Sequence, residues 1–341
     1  MTAAPDRPNP TGPAGEPVVV PVAGPAGGPV AGPAGGPAGG PAVVAVVGPT
    51  AAGKSALSIA LAHALPGEVV NADSMQLYQG MDIGTAKLTV AEREGVPHHV
   101  LDIWDVTEPA SVAEYQRLAR AAVDDIRARG RVPLLVGGSG LYVRAVLEEF
   151  EFPSTDPDLR RRLEDELAAT GPATLYARLR AADPAAAEKI LPGNGRRIVR
   201  ALEVIELTGR PFTAALPEPK PFYDSVQIGV DFDTAVLDDR IARRVDAMWA
   251  AGLVDETRRL AEVGLRDGRT AGRALGYQQV LNFLDGVGTE ADAHDETVRL
   301  TRRFVRRQRS WFRRDPRVHW LDATRPDLLP AALTAVRAAR G

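Results

Sequence analysis

An α/β fold, with a parallel sheet core, helices on both faces and a helical insertion, is predicted by three observations. Val43 to Val47 is short, wholly apolar and mostly β-branched, the pattern of a strand buried on both faces. Gly48-Pro49-Thr50-Ala51-Ala52-Gly53-Lys54-Ser55 follows at once, then helical composition from Ala56 to Leu61, so a glycine-rich turn joins strand to helix. Further apolar strands alternate with helical stretches, except from Pro153 to Pro221, where strand signals vanish. The turn fits G-x-x-x-x-G-K-[ST], which makes this a P-loop-type parallel sheet core. Glycines in such a loop let backbone N–H groups face an anion, Lys54 adds a point charge, and the Ser55 hydroxyl is placed to hold magnesium. A phosphate or diphosphate is the expected ligand.

The 341 residues, 45% hydrophobic and 25% charged, suit one large or two modest globular domains. A net charge of −3 says nothing for or against nucleic acid, so charge has to be located rather than summed. The lack of cysteine excludes disulfides and thiolate zinc sites and is compatible with the cytosol. Residues 1–41 are a Pro/Gly/Ala/Val tract without a strict glycine triplet, so collagen does not fit. The tract has no basic segment before an apolar core, as a signal peptide would, and reads as a disordered tail. No apolar run approaches the length of a membrane span. The core is assigned to 42–152 and 222–341, and the insertion to 153–221.

Glu68 to Ser74 is the next expected strand, and it delivers the acid Asp73 to the crevice outside the strand ends. The mixed polar, aromatic and glycine stretch Met75 to Lys87 lacks periodicity and suits a binding loop. Pro97 to Ile103 suggests another strand; its adjacent His98 and His99 have no third ligand at useful spacing, which favours a structural role. Ser111 to Arg129 is an amphipathic helix leading to the strand Val132–Val136. That strand ends in Gly137-Gly138-Ser139-Gly140, where a nucleotide hydrolase would carry a magnesium-binding acid. Ser139 either faces the crevice or merely caps the helix beginning near Leu141.

In the insertion, helices are expected near 157–169, 172–181 and 195–208, with basic clusters at Arg160–Arg162 and at Arg196, Arg197 and Arg200. Such clusters suit either solvated faces or phosphate contacts. Ser225 to Asp231 returns to strand character, and the helix Leu237–Val245 follows. Its Arg240 and Arg244, four apart, form either a diphosphate clamp or pairs with acids such as Asp239. Arg273-Ala274-Leu275-Gly276-Tyr277-Gln278 is expected to open another helix. Residues 299–317 hold nine arginines against one acid, with Leu300, Phe304, Trp311 and Phe312 as the apolar stripe, which points to an RNA-facing surface. A strand from Val318 to Asp322 and a final helix close the chain.

From Val43 to Asp322 the chain resembles the tRNA dimethylallyltransferases. The resemblance rests on GPTAAGKS at 48–55, NADSMQLYQGMDIGTAK at 71–87, VPHHVLDI at 96–103 and PLLVGGSGLYV at 133–143. It continues in RRIVRALEV at 196–204, DDRIARRVDAM at 238–248, RALGYQQ at 273–279 and RRQRSWFRRD at 306–315. It implies dimethylallyl diphosphate in the Gly48–Ser55 cradle and Mg2+ on the diphosphate. Asp73 is implied as general base and Ser139 as a polar residue near the reacting amine, with Lys54 and Arg240 or Arg244 opposing the leaving-group charge. Implied tRNA contacts are Asp73, Ser74, Met75, Gln76, Ser139, Arg160, Arg196, Arg197, Ile198, Val199, Arg200, Arg273, Ala274, Leu275, Gly276, Tyr277 and Gln278. Ser139 stands where threonine is frequent and Gln278 where a basic residue is common. The implied enzyme is a cytoplasmic monomer that meets tRNA through its anticodon stem-loop. A soluble adenylate prenyltransferase and a P-loop kinase or NTPase remain as alternatives, and the insertion with the arginine-rich helix favours the tRNA enzyme.

Overall fold

A computed structural model of the chain describes residues 42–150, 152–153, 155–212 and 220–338; the tail expected over 1–41 lies outside them. Strand β1 (Val43–Val47) is wholly buried, as its unbroken apolar run requires. The glycine-rich turn leads into α1 (Lys54–Ala64), followed by β2 (Gly67–Asn71), a short β3 (His98–His99), α2 (Val112–Ala128), β4 (Val132–Gly137) and α3 (Gly140–Leu147). Four helices come next: α4 (Pro157–Thr170), α5 (Pro172–Ala182), α6 (Pro184–Lys189) and α7 (Gly195–Thr208). Then follow β5 (Ser225–Asp231), α8 (Thr234–Ala250), α9 (Leu253–Glu262), α10 (Tyr277–Leu284), α11 (Glu290–Phe312), β6 (Val318–Asp322) and α12 (Leu328–Ala338).

All six strands run parallel in the order β3-β2-β4-β1-β5-β6. Alternate residues of β1 feed opposite faces, because side chains of a strand alternate. Val44 and Val46 join α1 and α12 in one core, while Val43, Ala45 and Val47 join α2 and α3 in the other. Strands β2 to β4 lie on one side of β1, and β5 and β6 on the other. The end of β1 is therefore the switch point where such sheets gather ligands. Register keeps the strand ends level there: Val47 pairs with Gly137 and Gly229, and Asn71 with Val136. Helices α4 to α7 share a separate apolar cluster that includes Leu163, Leu175, Leu179, Ile198 and Leu202.

Several expectations change for identifiable reasons. Strand β2 stops at Asn71 rather than Ser74 because the Asn71 side chain takes over the backbone: its Oδ1 accepts the Asp73 N–H at 2.9 Å, and its Nδ2 donates to the Asp73 and Val100 carbonyls. The strand expected over Pro97–Ile103 shrinks to His98–His99, since Val100 and Asp102 take left-handed φ values of 61° and 54°. Helix α6 was not foreseen, although Asp183-Pro184 signals it: Asp183 caps the Ala186 N–H and proline fills the first helical position. Arg273 does not open a helix. It ends a turn of 3₁₀ helix, Gly276 follows at φ 88°, and α10 starts at Tyr277. On α11 the buried stripe is Ala293, Thr297, Val305, Gln308 and Phe312; Leu300 and Phe304 are only half-buried and Trp311 is exposed.

The loop after β2 is anchored from α9 and α10. Fully buried Tyr277 donates its hydroxyl to Glu256 at 2.6 Å, and the same carboxylate accepts the Ile83 and Gly84 N–H groups at 2.9 and 3.2 Å. A buried hydrogen bond to a charged group contributes about 2 kcal/mol. Tyr277→Phe is therefore expected to lower stability by about that amount and shift the urea midpoint down. An unchanged midpoint would show that the hydroxyl does not hold this loop.

Candidate active site

Gly48 is demanded by space as well as by its φ of 140°: a Cβ there would lie 2.3 Å from the Val230 carbonyl oxygen of β5. Gly53, at φ 89°, is the N-cap of α1 and has no side chain with which to cap it. The first-turn N–H groups of α1 are thus left facing outward, as an anion cradle needs. The loop is held by its other groups. Lys54 Nζ donates to the Pro49 carbonyl at 2.7 Å, and Arg240 Nε donates to the Ala51 carbonyl at 2.8 Å. Helix α11 supplies Gln308, whose Oε1 accepts the Thr50 N–H at 3.0 Å.

In front of the loop lies a cavity of about 530 Å³, lined by Ala51, Gly53, Lys54 and Ser55 together with Lys87, Glu92, Arg240, Arg243 and Arg244. Asp239, an alternative partner for Arg240 and Arg244, pairs instead with Arg243 at 2.6 Å. Arg240 lies over the Phe232 ring, and Arg244 reaches the Thr85 carbonyl at 3.3 Å. Among the described residues neither makes an ion pair. Burial pushes the Lys54 ammonium down to about 8; the Asp73 carboxylate opposes this and the Arg244 guanidinium adds to it. Arg244 is also lowered, first by burial, with Asp73 opposing and Arg240 contributing. Lys54, Arg240 and Arg244 thus concentrate positive charge without an ion pair of their own among the described residues, with Glu92 in the lining and Asp73 beside them as the acids that temper it.

Beside the cradle, the ends of β2 and β4 form a second cluster. Asp73 follows β2 by two residues, and its Oδ1 accepts the Met75 N–H at 2.9 Å. Ser139 occupies the N-cap position of α3 but makes no capping bond. Its Oγ instead accepts the Ser74 N–H and lies 3.3 Å from Ser74 Oγ, so the capping alternative is not realised. The Asn71 carbonyl accepts the Tyr115 hydroxyl at 2.9 Å, and burial raises that phenol far above its usual range, keeping it a donor. Gln76 turns to the Thr85 carbonyl, the group that Arg244 also meets. Asp73 and Ser139 do not line the cavity itself; the two clusters are joined by the field of Asp73 on Lys54 and Arg244.

The remaining sequence candidates divide by burial. Arg160 and Arg200 both bond Glu203, which is fully buried, at 2.5 and 2.7 Å, while Arg196 and Arg197 are exposed. Ile198 and Val199 are core residues of the helical cluster, so their side chains are not at the surface. Arg273 and Gln278 are exposed and Leu275 is half-buried, whereas Ala274, Gly276 and Tyr277 are buried. The arginine-rich helix is only partly a free basic face. Arg309 chelates Asp231 at 2.8 and 2.9 Å, Arg313 adds a bond to the same acid, and Arg317 pairs with Asp315 and Glu148. Arg303, Arg307 and Arg314 are exposed and without ion pairs among the described residues. Asp231 places an acid at the end of β5, and no local sequence signal shows that Arg309 takes it up. His99 pairs with Glu68 at 2.7 Å and His98 with the Val96 carbonyl, in keeping with a structural role for both. No group of three metal-ligating His, Cys, Asp or Glu residues occurs among the described residues.

The model of the IPP transferase family matches residues 76–315. Over 297 residues the chain is 80% identical to a tRNA dimethylallyltransferase of Salinispora arenicola, covering 87% of each. Among solved structures it is similar to the full-length tRNA isopentenylpyrophosphate transferase of Bacillus halodurans, at 42% identity and a TM-score of 0.66, over 88% of this chain and 98% of that one. A eukaryotic dimethylallyltransferase acting on tRNA aligns at 29% identity with a TM-score of 0.74, over 87% of this chain and 77% of that one. Switch-point cradle, neighbouring acid and matched length agree, and the chain belongs to the IPP transferase family.

Proposed function

We propose that Gly48–Ser55 holds dimethylallyl diphosphate and that Asp73 is the base as its dimethylallyl group passes to tRNA. The acceptor is the exocyclic amine of the adenosine on the 3′ side of the anticodon, and the product is diphosphate. One observation carries this reading: a predominantly cationic cavity and an acid–hydroxyl cluster emerge side by side from neighbouring strand ends. The amine is a weak nucleophile because its lone pair is delocalised into the ring. As the C–N bond forms and the allylic C–O bond breaks, the amine proton passes to the Asp73 carboxylate, with Ser139 placed to hydrogen-bond the amine. Such base catalysis contributes ~10²–10⁴-fold. Negative charge grows on the leaving diphosphate, where backbone N–H groups, Lys54, Arg240 and Arg244 oppose it.

A magnesium ion suits this donor set. The exposed Ser55 hydroxyl lines the cavity, and magnesium characteristically takes one or two protein oxygens together with substrate phosphates and water. Ser55 would hold it, and it would offset diphosphate charge. Asp231 is not available as a further ligand because Arg309 occupies both of its oxygens.

The target base has to leave the stacked anticodon loop to reach Asp73. We assign the phosphate contacts of the stem-loop to Arg196 and Arg197 on the insertion 153–221, with Arg273 and Gln278 facing the same partner from the core. Arg160 and Arg200, held by Glu203, keep the insertion's basic edge in place, and Ile198, Val199, Ala274, Gly276 and Tyr277 shape these surfaces from beneath. Ser74, Met75, Gln76 and Leu275 are half-buried and line the approach to the base. The enzyme acts as a monomer in the cytoplasm, where its tRNA substrate is. No helix among the described residues is long and apolar enough to cross a membrane.

Asp73→Asn is expected to lower single-turnover transfer by ~10²-fold or more without weakening dimethylallyl diphosphate binding, since the change removes a negative charge from the cradle. Wild-type-like transfer would exclude Asp73 as the base. Lys54 sets a pH dependence. It is charged below about 8 and loses its proton above. Affinity for the diphosphate should therefore fall above that pH, by up to about tenfold per unit. Titration calorimetry across the range checks the sign, and Lys54→Arg, which stays charged, should flatten the profile. For the acceptor, neutralising Arg196 and Arg197 together should weaken tRNA binding and reduce the salt slope by about one per lost phosphate contact. Unchanged tRNA affinity and slope would remove these arginines from the interface, and efficient transfer to AMP would favour a free-nucleotide acceptor.

A further inference from the structure

One side chain outside the assigned machinery touches both halves of the site. Gln308 lies on the buried stripe of α11, between Val305 and Phe312, and is only 6% exposed. Its Oε1 accepts the Thr50 N–H of the cradle at 3.0 Å, and its Nε2 donates to the Gly138 carbonyl at 2.9 Å, next to Ser139. The amide orientation is dictated by its partners: the flipped form would set oxygen against a carbonyl and NH₂ against an N–H. A Cβ at Gly138 would lie 2.4 Å from Nε2, so the turn is built around this contact. Arg309, the next residue, is chelated to Asp231 at the end of β5, which fixes α11 at this level of the sheet.

We infer that Gln308 is a positioning residue for the transfer: its carboxamide sets the spacing between the diphosphate loop and the Ser139 turn. The inference rests on the reading of Gly48–Ser55 as the diphosphate cradle. The scissile C–O bond is held by one of these loops, and the attacking amine approaches the other. Rates of such displacements fall steeply when the reacting groups are misplaced by about 1 Å. No contact of Gln308 with either substrate is required.

Two variants separate this from a general structural role. Gln308→Met keeps the length and apolar bulk but loses both hydrogen bonds. It should lower kcat by roughly 10- to 100-fold, with the Kd values for dimethylallyl diphosphate and tRNA each changing by less than about threefold. Gln308→Glu provides a pH readout. As a neutral acid the introduced carboxyl accepts from Thr50 and donates to Gly138, restoring both bonds; as a carboxylate it cannot donate and sets its charge against the Gly138 carbonyl. The ratio of its single-turnover rate to that of the wild type should rise as pH falls from about 8 to about 6, approaching tenfold per unit at most. Using the ratio cancels titrations that the variant and the wild type share. The same ratio for Gln308→Met should stay flat.

A flat ratio for Gln308→Glu would overturn the inference. So would a wild-type rate in Gln308→Met, or a rate loss fully matched by weaker binding of both substrates. Should Gln308→Met not fold, the pH ratio of Gln308→Glu decides alone. Lys54→Ala tests the underlying reading separately, because unaltered dimethylallyl diphosphate affinity in that variant would remove the ligand from the cradle whatever Gln308 does.

Discussion

An anion cradle cannot hold itself together with the groups it offers to its ligand. Every backbone N–H turned toward a phosphate is withdrawn from the hydrogen bonds that would otherwise stabilise a tight turn, and an unpaired buried N–H is costly. Here the loop is fixed through what remains. Its carbonyls at Pro49 and Ala51 accept from Lys54 and Arg240, and the N–H of Thr50 goes to Gln308. Ala51, like Phe232, also packs against the Leu237, Ile241 and Val305 cluster, so α8 and α11 support the loop by apolar contact as well. The close approach of Gly48 to Val230 completes the fit from the β5 side.

The acid side is supported by a different device. Asp73 sits in a turn governed by Asn71, whose side chain bonds the backbone on both sides of the bend while its carbonyl is held by Tyr115. The loop beyond is fastened to Glu256 and to Lys87, the latter buried between Asp82, Asp102 and the Tyr78 carbonyl. These groups keep a long irregular segment in one conformation. On the proposed mechanism, a carboxylate that removes a proton during bond formation needs this constancy, because proton transfer depends first on distance.

Much of this was legible in the sequence where residue type and position coincide. β1, the cradle and β4 are single, locally consistent signals, and Ser111 to Arg129 meets α2 because amphipathicity and a capping serine agree. What could not be read depends on partners distant in sequence. Nothing near Glu203 shows that Arg160 engages it, although Arg200 lies only three residues before it on α7, nor does a run of arginines disclose that Arg309 reaches Asp231 and Arg317 reaches Glu148. A signal for Gln308 existed: on α11 it stands three residues after Val305 and four before Phe312, a polar side chain on the buried face. It was obscured because, of the expected apolar stripe Leu300, Phe304, Trp311 and Phe312, only Phe312 lies on the true buried face.

The distribution of paired and unpaired charge is itself informative about mechanism. Away from the cradle most half-buried arginines have an acid: Arg144 has Glu148, Arg160 has Glu203 and Arg309 has Asp231. At the cradle the pattern reverses, and Lys54, Arg240 and Arg244 face one another across a cavity with Asp73 as the nearby acid that shapes their protonation. Holding three cations together raises the energy of the empty fold; the Lys54 ammonium is lowered first by its burial, and the Arg244 guanidinium adds to that. The same field favours whatever negative charge enters, and on the proposed reading favours it more as charge accumulates on the departing diphosphate. In a site that is half enclosed, dipoles and cations already in position need no reorganisation when the bond breaks. On the proposed reading, stability given up at the switch point of the sheet is recovered when the anion binds, and most strongly in the transition state.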